Sequence, residues 1–199
     1  MCSTIIKLYP KIVKRRRMRM LKKINTPTLE TQRLLLRKAV KQDREAFLEI
    51  FKDDTIHRYR PWFPLTTIKE ASQYLESYIL PVYERDIAYY YVLEEKTSKK
   101  VIGFISLDGL YPGRGIGEFN AGMIYEYRGK GYLKEAANAL LHMAKENGFT
   151  KISAIHDKEN VKSGEIIKDL GLSYRYSFDE RKPHLKKTVT FQYYEIKFD

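Results

Sequence analysis

The chain has 199 residues, of which 43% are apolar and 31% charged, a length and composition that predict one globular domain with a short appendage. No stretch reaches the roughly 18 consecutive apolar residues of a transmembrane helix, which argues against a membrane span. The single cysteine, Cys2, excludes an internal disulfide, and the four histidines lack the spacing of a zinc site. We therefore expect a metal-free cytoplasmic protein.

The net charge of +12 is concentrated at the N-terminus. Residues 1–25 contain nine Lys and Arg and no Asp or Glu, which leaves only +3 for residues 26–199. This segment lacks the apolar core of a signal peptide. We interpret residues 1–25 as a basic, disordered extension. The alternative is an arm that contacts RNA, the ribosome or an anionic membrane face through its charge.

Apolar periodicity predicts a single mixed α/β domain over residues 26–199. The predicted strands are 28–39, 88–94, 100–107, 118–125, 151–156, 172–178 and 188–198. The predicted helices are 42–53, 68–83, a long helix that starts after Gly131 and stops at Gly148, and 160–171. Gly113, Gly115 and Gly117 are spaced as in a dinucleotide fingerprint, but a strand follows them where that motif needs a helix, so they indicate a hairpin turn.

The sequence from Arg128 to Gly131, Arg-Gly-Lys-Gly, lies between a predicted strand and the long helix. Glycines leave backbone N–H groups unshielded, and a helix N-terminus adds unpaired donors, so this segment is typical of a phosphate site. The P-loop spacing is absent, which favours a phosphate-bearing cofactor other than a magnesium nucleotide. The alternative is an ordinary turn with two exposed basic residues.

Three segments resemble the acetyl-CoA motifs of the GNAT superfamily of N-acetyltransferases: residues 125–136, 160–163 and 168–171. Residues 28–37, TLETQRLLLR, resemble the branch that includes ribosomal-protein N-terminal acetyltransferases, so the resemblance covers 26–199. It implies one domain with a mostly antiparallel, twisted sheet of about seven strands and about four flanking helices. It also implies acetyl transfer from acetyl-CoA directly to a primary amine, on a protein N-terminus or a small molecule, in a ternary complex.

The resemblance also implies which residues bind the cofactor. Backbone groups of Met123, Ile124 and Tyr125 would pair with the pantetheine arm, with a bulge that aims an N–H at the thioester carbonyl. The amides of 129–133 would bind the pyrophosphate, with charge from Arg128 and Lys130, and Asn160 and Ser163 would face the arm near the sulfur. The implied cofactor-binding set is therefore Met123, Ile124, Tyr125, Arg128, Gly129, Lys130, Gly131, Tyr132, Leu133, Asn160 and Ser163.

The resemblance leaves open the roles of the proton donor, the general base and the acceptor-pocket residues. Ile167 stands where many relatives have a Tyr that protonates the thiolate, so Ser163 or a water would have to serve. Glu118 is the candidate general base, or else a solvent-facing carboxylate at a strand end. Trp62 and Phe63 either line the acceptor pocket or fill the core, while His156 is expected to be packed. The alternative function is a CoA-binding or RNA-associated protein with the same fold and little transferase activity, and a monomer and a homodimer are equally open.

Overall fold

The computed structural model describes residues 21–53, 64–182 and 187–198. Its strands are β1 (Leu29–Glu30), β2 (Leu34–Arg37), β3 (Tyr89–Glu95), β4 (Val101–Tyr111), β5 (Ile116–Met123), β6 (Lys151–Asp157), β7 (Ser173–Lys182) and β8 (Lys187–Lys197). Its α-helices are α1 (Arg44–Phe51), α2 (Ile68–Tyr74), α3 (Tyr132–Glu146) and α4 (Val161–Asp169). After α2 the chain continues through a π-turn, Leu75–Ile79, and a 3₁₀ turn, Leu80–Glu84. None of the described helices is long and apolar enough to cross a membrane.

One sheet holds all eight described strands, in the order β1-β2-β3-β4-β5-β6-β8-β7. Every neighbouring pair is antiparallel except β5 and β6, which are parallel. The predicted mixed α/β fold is confirmed, with one strand more than expected. The extra strand arises because Thr31 turns the chain within predicted strand 28–39: its hydroxyl accepts the Leu34 N–H at 2.9 Å.

The sheet is covered on both faces, because strand side chains alternate between faces and both sets are apolar here. On β3, Tyr89 and Tyr91 pack in the core shared with α3 and α4, whereas Tyr90 and Val92 pack in the core shared with α1 and α2. Burying one such large apolar side chain contributes about 2 kcal/mol of stability. The sheet therefore has an α1/α2 face and an α3/α4 face.

Gly113 and Gly115 lie in the turn between β4 and β5, as predicted, whereas Gly117 lies in β5, which begins at Ile116. Gly115 has a φ of +63°, and a Cβ there would lie 2.6 Å from the carbonyl oxygen of Gly148. Only glycine fits so close to the end of α3 at this backbone angle. The turn thereby fixes the start of β5 beside β6.

The described part of the predicted extension, residues 21–25, lies against the domain. Leu21 is buried in the α3/α4 core, and its N–H donates to the Pro112 carbonyl at 3.1 Å. Asn25 forms an isolated bridge with Ala88. Residues 21–25 therefore pack with the domain, although they precede the predicted boundary at residue 26; residues 1–20 lie outside the described residues.

Candidate active site

The parallel strands β5 and β6 pair only briefly and then separate. Their pairing covers 116–118 and 151–153, and beyond Glu118 and Ser153 β6 continues to pair with β8 alone. A cavity of about 420 Å³ lies at this divergence, lined from β4, β5, β6, α4 and the β7–β8 hairpin. It reaches both faces of the sheet, because Ala154 belongs to the α3/α4 core and Glu118 points to the opposite face.

Beyond Glu118, alternate residues of β5 direct their backbone N–H and C=O groups toward the gap that separates β5 from β6. The Ile124 N–H donates to the Ile102 carbonyl of β4 at 2.9 Å, and antiparallel pairs alternate. The odd residues, among them Ala121 and Met123, therefore turn their N–H and C=O groups away from β4. An extended ligand could add to this edge as a strand does. The alternation of backbone direction along β5 makes Ala121 a candidate for binding such a ligand, and this residue was not identified from the sequence.

All three residues predicted to pair with a pantetheine arm have other partners, since the Met123 carbonyl accepts from the Arg128 side chain and the other two bond to the backbone. The Ile124 N–H is committed to β4, and the Tyr125 carbonyl accepts the Arg128 N–H at 3.1 Å. The bulge expected near Met123 is not found in the described pairing, since β5 pairs with β4 in continuous register from Glu118 to Met123 and the register shift of this pair lies at its other end, between Asp108 and Tyr111. The gap is opened instead by the divergence of β5 from β6.

The glycine loop has the backbone geometry of an anion cradle. Gly129 and Gly131 have φ angles of +74° and +80°, and α3 begins directly after them at Tyr132. Gly131 is the N-cap and supplies no capping side chain, so the N–H groups of the first turn have no acceptor within the helix. Gly129, Lys130 and Gly131 are exposed. These residues fit a phosphate group, because open donors, a helix N-terminus and a cation coincide.

Arg128 is directed away from this cradle. Its Nε and Nη2 donate to the Met123 carbonyl at 2.9 and 2.8 Å, and Nη2 lies 2.5 Å from the Asp53 carboxylate at the end of α1. The charge that the resemblance assigned to phosphate binding is thus paired with Asp53. Arg128 ties the end of β5 to α1 and leaves Lys130 as the exposed cation of the loop.

Asn160 and Ser163 line the cavity at the start of α4. The Asn160 Oδ1 accepts the Ser163 N–H at 3.2 Å, so Asn160 acts as the helix N-cap. Ile167, one turn further along, is 5% exposed and packs in the α3/α4 core. Ser163 is therefore the hydroxyl of this segment that the structure brings to the cavity.

A polar cluster lies on the opposite face of the sheet. Glu118 stands directly across from Asp108, and Asn120 across from Ser106; these four share the face of Phe104, which packs with α1 and α2. The Asp108 Oδ2 accepts from Ser106 Oγ at 2.9 Å and from Asn120 Nδ2 at 3.0 Å. Sequence reasoning found Glu118 but missed Asp108, since the pairing register brings them together.

His156 is packed beneath α4, as expected. Its Nδ1 lies 2.8 Å from the Asp157 carbonyl oxygen, and a Cβ on Gly164 would lie 2.8 Å from its Cε1. A carbonyl only accepts, so the neutral ring carries its proton on Nδ1. Burial lowers the pKa of the His156 imidazole below its usual value of 6.5 and outweighs the hydrogen bond to Asp157. The lowered pKa favours the neutral form of the ring.

The two predicted acceptor residues, Trp62 and Phe63, lie outside the described residues, as do residues 1–20. Their proposed contacts stay predictions. Within 21–53, 64–182 and 187–198, no group of three or more His, Cys, Asp or Glu side chains is arranged to hold a metal ion.

The fold and the family comparison define a class of enzyme, the acetyltransferases. The chain belongs to the GNAT acetyltransferase domain family, whose model matches residues 33–173. The family uses acetyl-CoA as acetyl donor, and the predicted family and enzyme class are confirmed.

Several known proteins have a similar fold and a sequence that is 15 to 25% identical to this one. An uncharacterized N-acetyltransferase of Bacillus subtilis, YoaA, is 25% identical over 146 residues, which cover 73% of this chain and 82% of YoaA. The ribosomal-protein-S5-alanine acetyltransferase of Vibrio fischeri has 20% identity and a TM-score of 0.72, covering 87% of this chain and 97% of that one. RimL, a ribosomal α-N-protein acetyltransferase solved with coenzyme A, has 15% identity and a TM-score of 0.74, covering 87% and 99%.

Proposed function

We propose that this protein transfers the acetyl group of acetyl-CoA directly to a primary amine, with donor and acceptor bound together. The observation that carries the proposal is the cavity between β5 and β6, which joins the phosphate-loop face of the sheet to a face with paired carboxylates. When bound, acetyl-CoA supplies an acetyl group activated as a thioester. The protein contributes binding, orientation and proton transfer, and orientation alone accounts for much of the acceleration in such reactions.

On the α3/α4 face, the backbone N–H groups of 129–133 and the Lys130 ammonium would hold the pyrophosphate. The edge of β5 would hold the pantetheine arm by strand-like hydrogen bonds from the N–H and C=O of Ala121 and the N–H of Met123, because the Met123 carbonyl already accepts from Arg128. Asn160 and Ser163 border the same cavity. Because Ile167 is buried and has no ionisable group, we propose that Ser163, directly or through a water, donates a proton to the thiolate that leaves the thioester.

On the α1/α2 face, Glu118 is the proposed general base. An amine must lose a proton before it attacks; a lysine side chain has a pKa of about 10.4, whereas an α-amino group titrates near 8 and needs a weaker base. Asp108, held by Ser106 and Asn120, lies across from Glu118 and would orient the ammonium.

The acceptor that the comparisons favour is a protein N-terminus, because RimL and the S5-alanine enzyme act on ribosomal proteins. A small-molecule amine is the second candidate. The cavity mouth bordered by Asp108, Glu118 and Glu180 supports a cationic acceptor of either kind.

The experiment is thiol release from acetyl-CoA against a panel of N-terminal peptides and small amines, with calorimetry on the same preparation. Glu118→Gln should lower kcat by about 100-fold, the usual contribution of a general base, with acetyl-CoA affinity unchanged. Glu165→Gln, at an exposed site on α4, is the control. Equal rates for Glu118→Gln and wild type across pH 6 to 9 would remove Glu118 as the base. Tight acetyl-CoA binding without turnover on any amine would favour the alternative, a CoA-binding protein without transferase activity.

A further inference from the structure

Arg33 lies in the turn between β1 and β2 and reaches the glycine loop, about a hundred positions away in the chain. Its Nη1 donates to the Lys130 carbonyl at 3.0 Å, and its Nε donates to the Glu135 carboxylate at 2.6 Å. Its guanidinium carbon lies 4.3 Å from the centre of the Tyr132 ring. The Arg33 side chain therefore contacts Lys130 in the glycine loop and both Tyr132 and Glu135 at the start of α3.

We propose that Arg33 is a positioning residue of the phosphate loop, which holds the Lys130–Gly131 peptide so that the Gly131 N–H faces the cofactor; this inference rests on the proposed function. A trans peptide is planar, with its C=O and N–H pointing in opposite directions. Because Arg33 holds the Lys130 carbonyl on one side of this peptide, the Gly131 N–H points to the opposite side.

The loop needs such a restraint because glycines do not fix their own conformation. Gly129 and Gly131 both lie at positive φ, and glycine has more backbone freedom to lose than any other residue. A Cβ at Gly131 would lie 3.5 Å from Arg33 Nη2, so the guanidinium packs directly against this residue. A peptide held before binding loses less entropy when it binds the anion.

Arg33 is itself held in place. The Glu135 Oε1 accepts the Arg33 backbone N–H at 2.8 Å and the Thr31 hydroxyl at 2.6 Å, so the same carboxylate fixes both the turn and the guanidinium. The hydroxyl of Tyr132 donates to Glu95 at 3.1 Å, which holds the ring beneath the guanidinium. The planar fork of arginine meets a carboxylate, a carbonyl and a ring at once, which the single ammonium of a lysine does not.

The test compares Arg33→Lys and Arg33→Met with wild type on two probes: acetyl-CoA, which carries the pyrophosphate, and acetyl-pantetheine, which lacks it. Calorimetry should show about a tenfold weaker Kd for acetyl-CoA in both variants, the usual effect of losing one well-placed hydrogen bond to a charged group. The kcat at saturating acetyl-CoA and the kcat/KM with acetyl-pantetheine should stay within about twofold of wild type, a margin well below one decade of affinity.

The matched control is Arg175→Met on β7, an arginine of similar exposure, 45% against 40%, that is also paired with a glutamate, Glu195. It should change neither probe. Wild-type acetyl-CoA affinity in Arg33→Lys would overturn the proposal, because charge alone would then suffice. An equal loss with acetyl-CoA and acetyl-pantetheine would also overturn it, since the effect would then be general misfolding. Failure of the wild type to bind acetyl-CoA would instead refute the proposed function.

Discussion

Replacing Glu135 by alanine should destabilise the protein by about 3 kcal/mol. The Glu135 carboxylate is 19% exposed and accepts three hydrogen bonds, from the Thr31 hydroxyl, the Arg33 backbone N–H and the Arg33 Nε, at 2.6 to 2.8 Å. A hydrogen bond to a charged group contributes about 1.5 to 3 kcal/mol net, and the three share one carboxylate, so we count them as little more than one strong bond. In a chain of this length, that loss lowers Tm by about 6 to 12 °C.

Urea denaturation and thermal melts of Glu135→Ala measure this effect, with Glu146→Ala as the control. Glu146 lies in the same helix, is 64% exposed and contacts only His142 among the described ion pairs, and its loss should cost less than about 0.5 kcal/mol. A loss below about 1 kcal/mol in Glu135→Ala, or an equal loss in both variants, would refute the reasoning, since the three bonds would then contribute no more than a surface contact.

The effect of Glu135 also has a defined pH dependence. Burial opposes the charged form, but the hydrogen bonds from Thr31 and Arg33 outweigh it and hold the pKa of Glu135 below its usual 4.5. A carboxyl whose folded pKa is lowered stabilises the fold above its unfolded pKa and loses that contribution as pH falls through the folded value. The difference between wild type and Glu135→Ala should therefore be constant from pH 7 to 5 and shrink below pH 4.5.

Two further predictions concern the packing of α4 on β6. Gly164→Ala should lower the free energy of unfolding by about 1 to 3 kcal/mol in urea denaturation, because the added Cβ would lie 2.8 Å from His156 Cε1. The control, Gly113→Ala, should be neutral, because no atom lies within 4 Å of the added Cβ. Equal stabilities of the two variants would contradict the close contact. The His156 ring should titrate below pH 6.5 by NMR, since burial lowers its pKa. The unfolded chain then binds the proton more tightly, so stability should fall as pH drops from 7 to 5, and less steeply in His156→Gln; parallel stability curves would argue against a buried neutral ring.

The sequence predicted the elements of the fold because their signals are local. Alternation in β3 and the apolar spacing from Leu133 to Ala144 depend only on which side chains a strand or a helix turns to one face. The glycine loop was equally readable, since its geometry comes from two glycines at positive φ, separated by one residue and followed directly by a helix. The sequence signal for the second strand was incomplete, because the Thr31 turn that splits 28–39 depends on a side chain bonding to its own backbone.

The partners of the site residues depended on tertiary structure. Arg33 is separated from Glu135 by 102 positions and Arg128 from Asp53 by 75, and no local pattern states that such residues meet. Asp108 and Glu118 became a pair only through the register of β4 and β5. The sequence by itself determined the elements of a mixed α/β domain and the position of its glycine loop, because periodicity and backbone freedom are properties of neighbouring residues; the family followed from the resemblance of its motifs to those of the GNAT superfamily. Which arginine holds that loop, and which carboxylate faces Glu118, was decided by the order and divergence of the strands, because side chains distant in sequence meet only when the sheet is assembled.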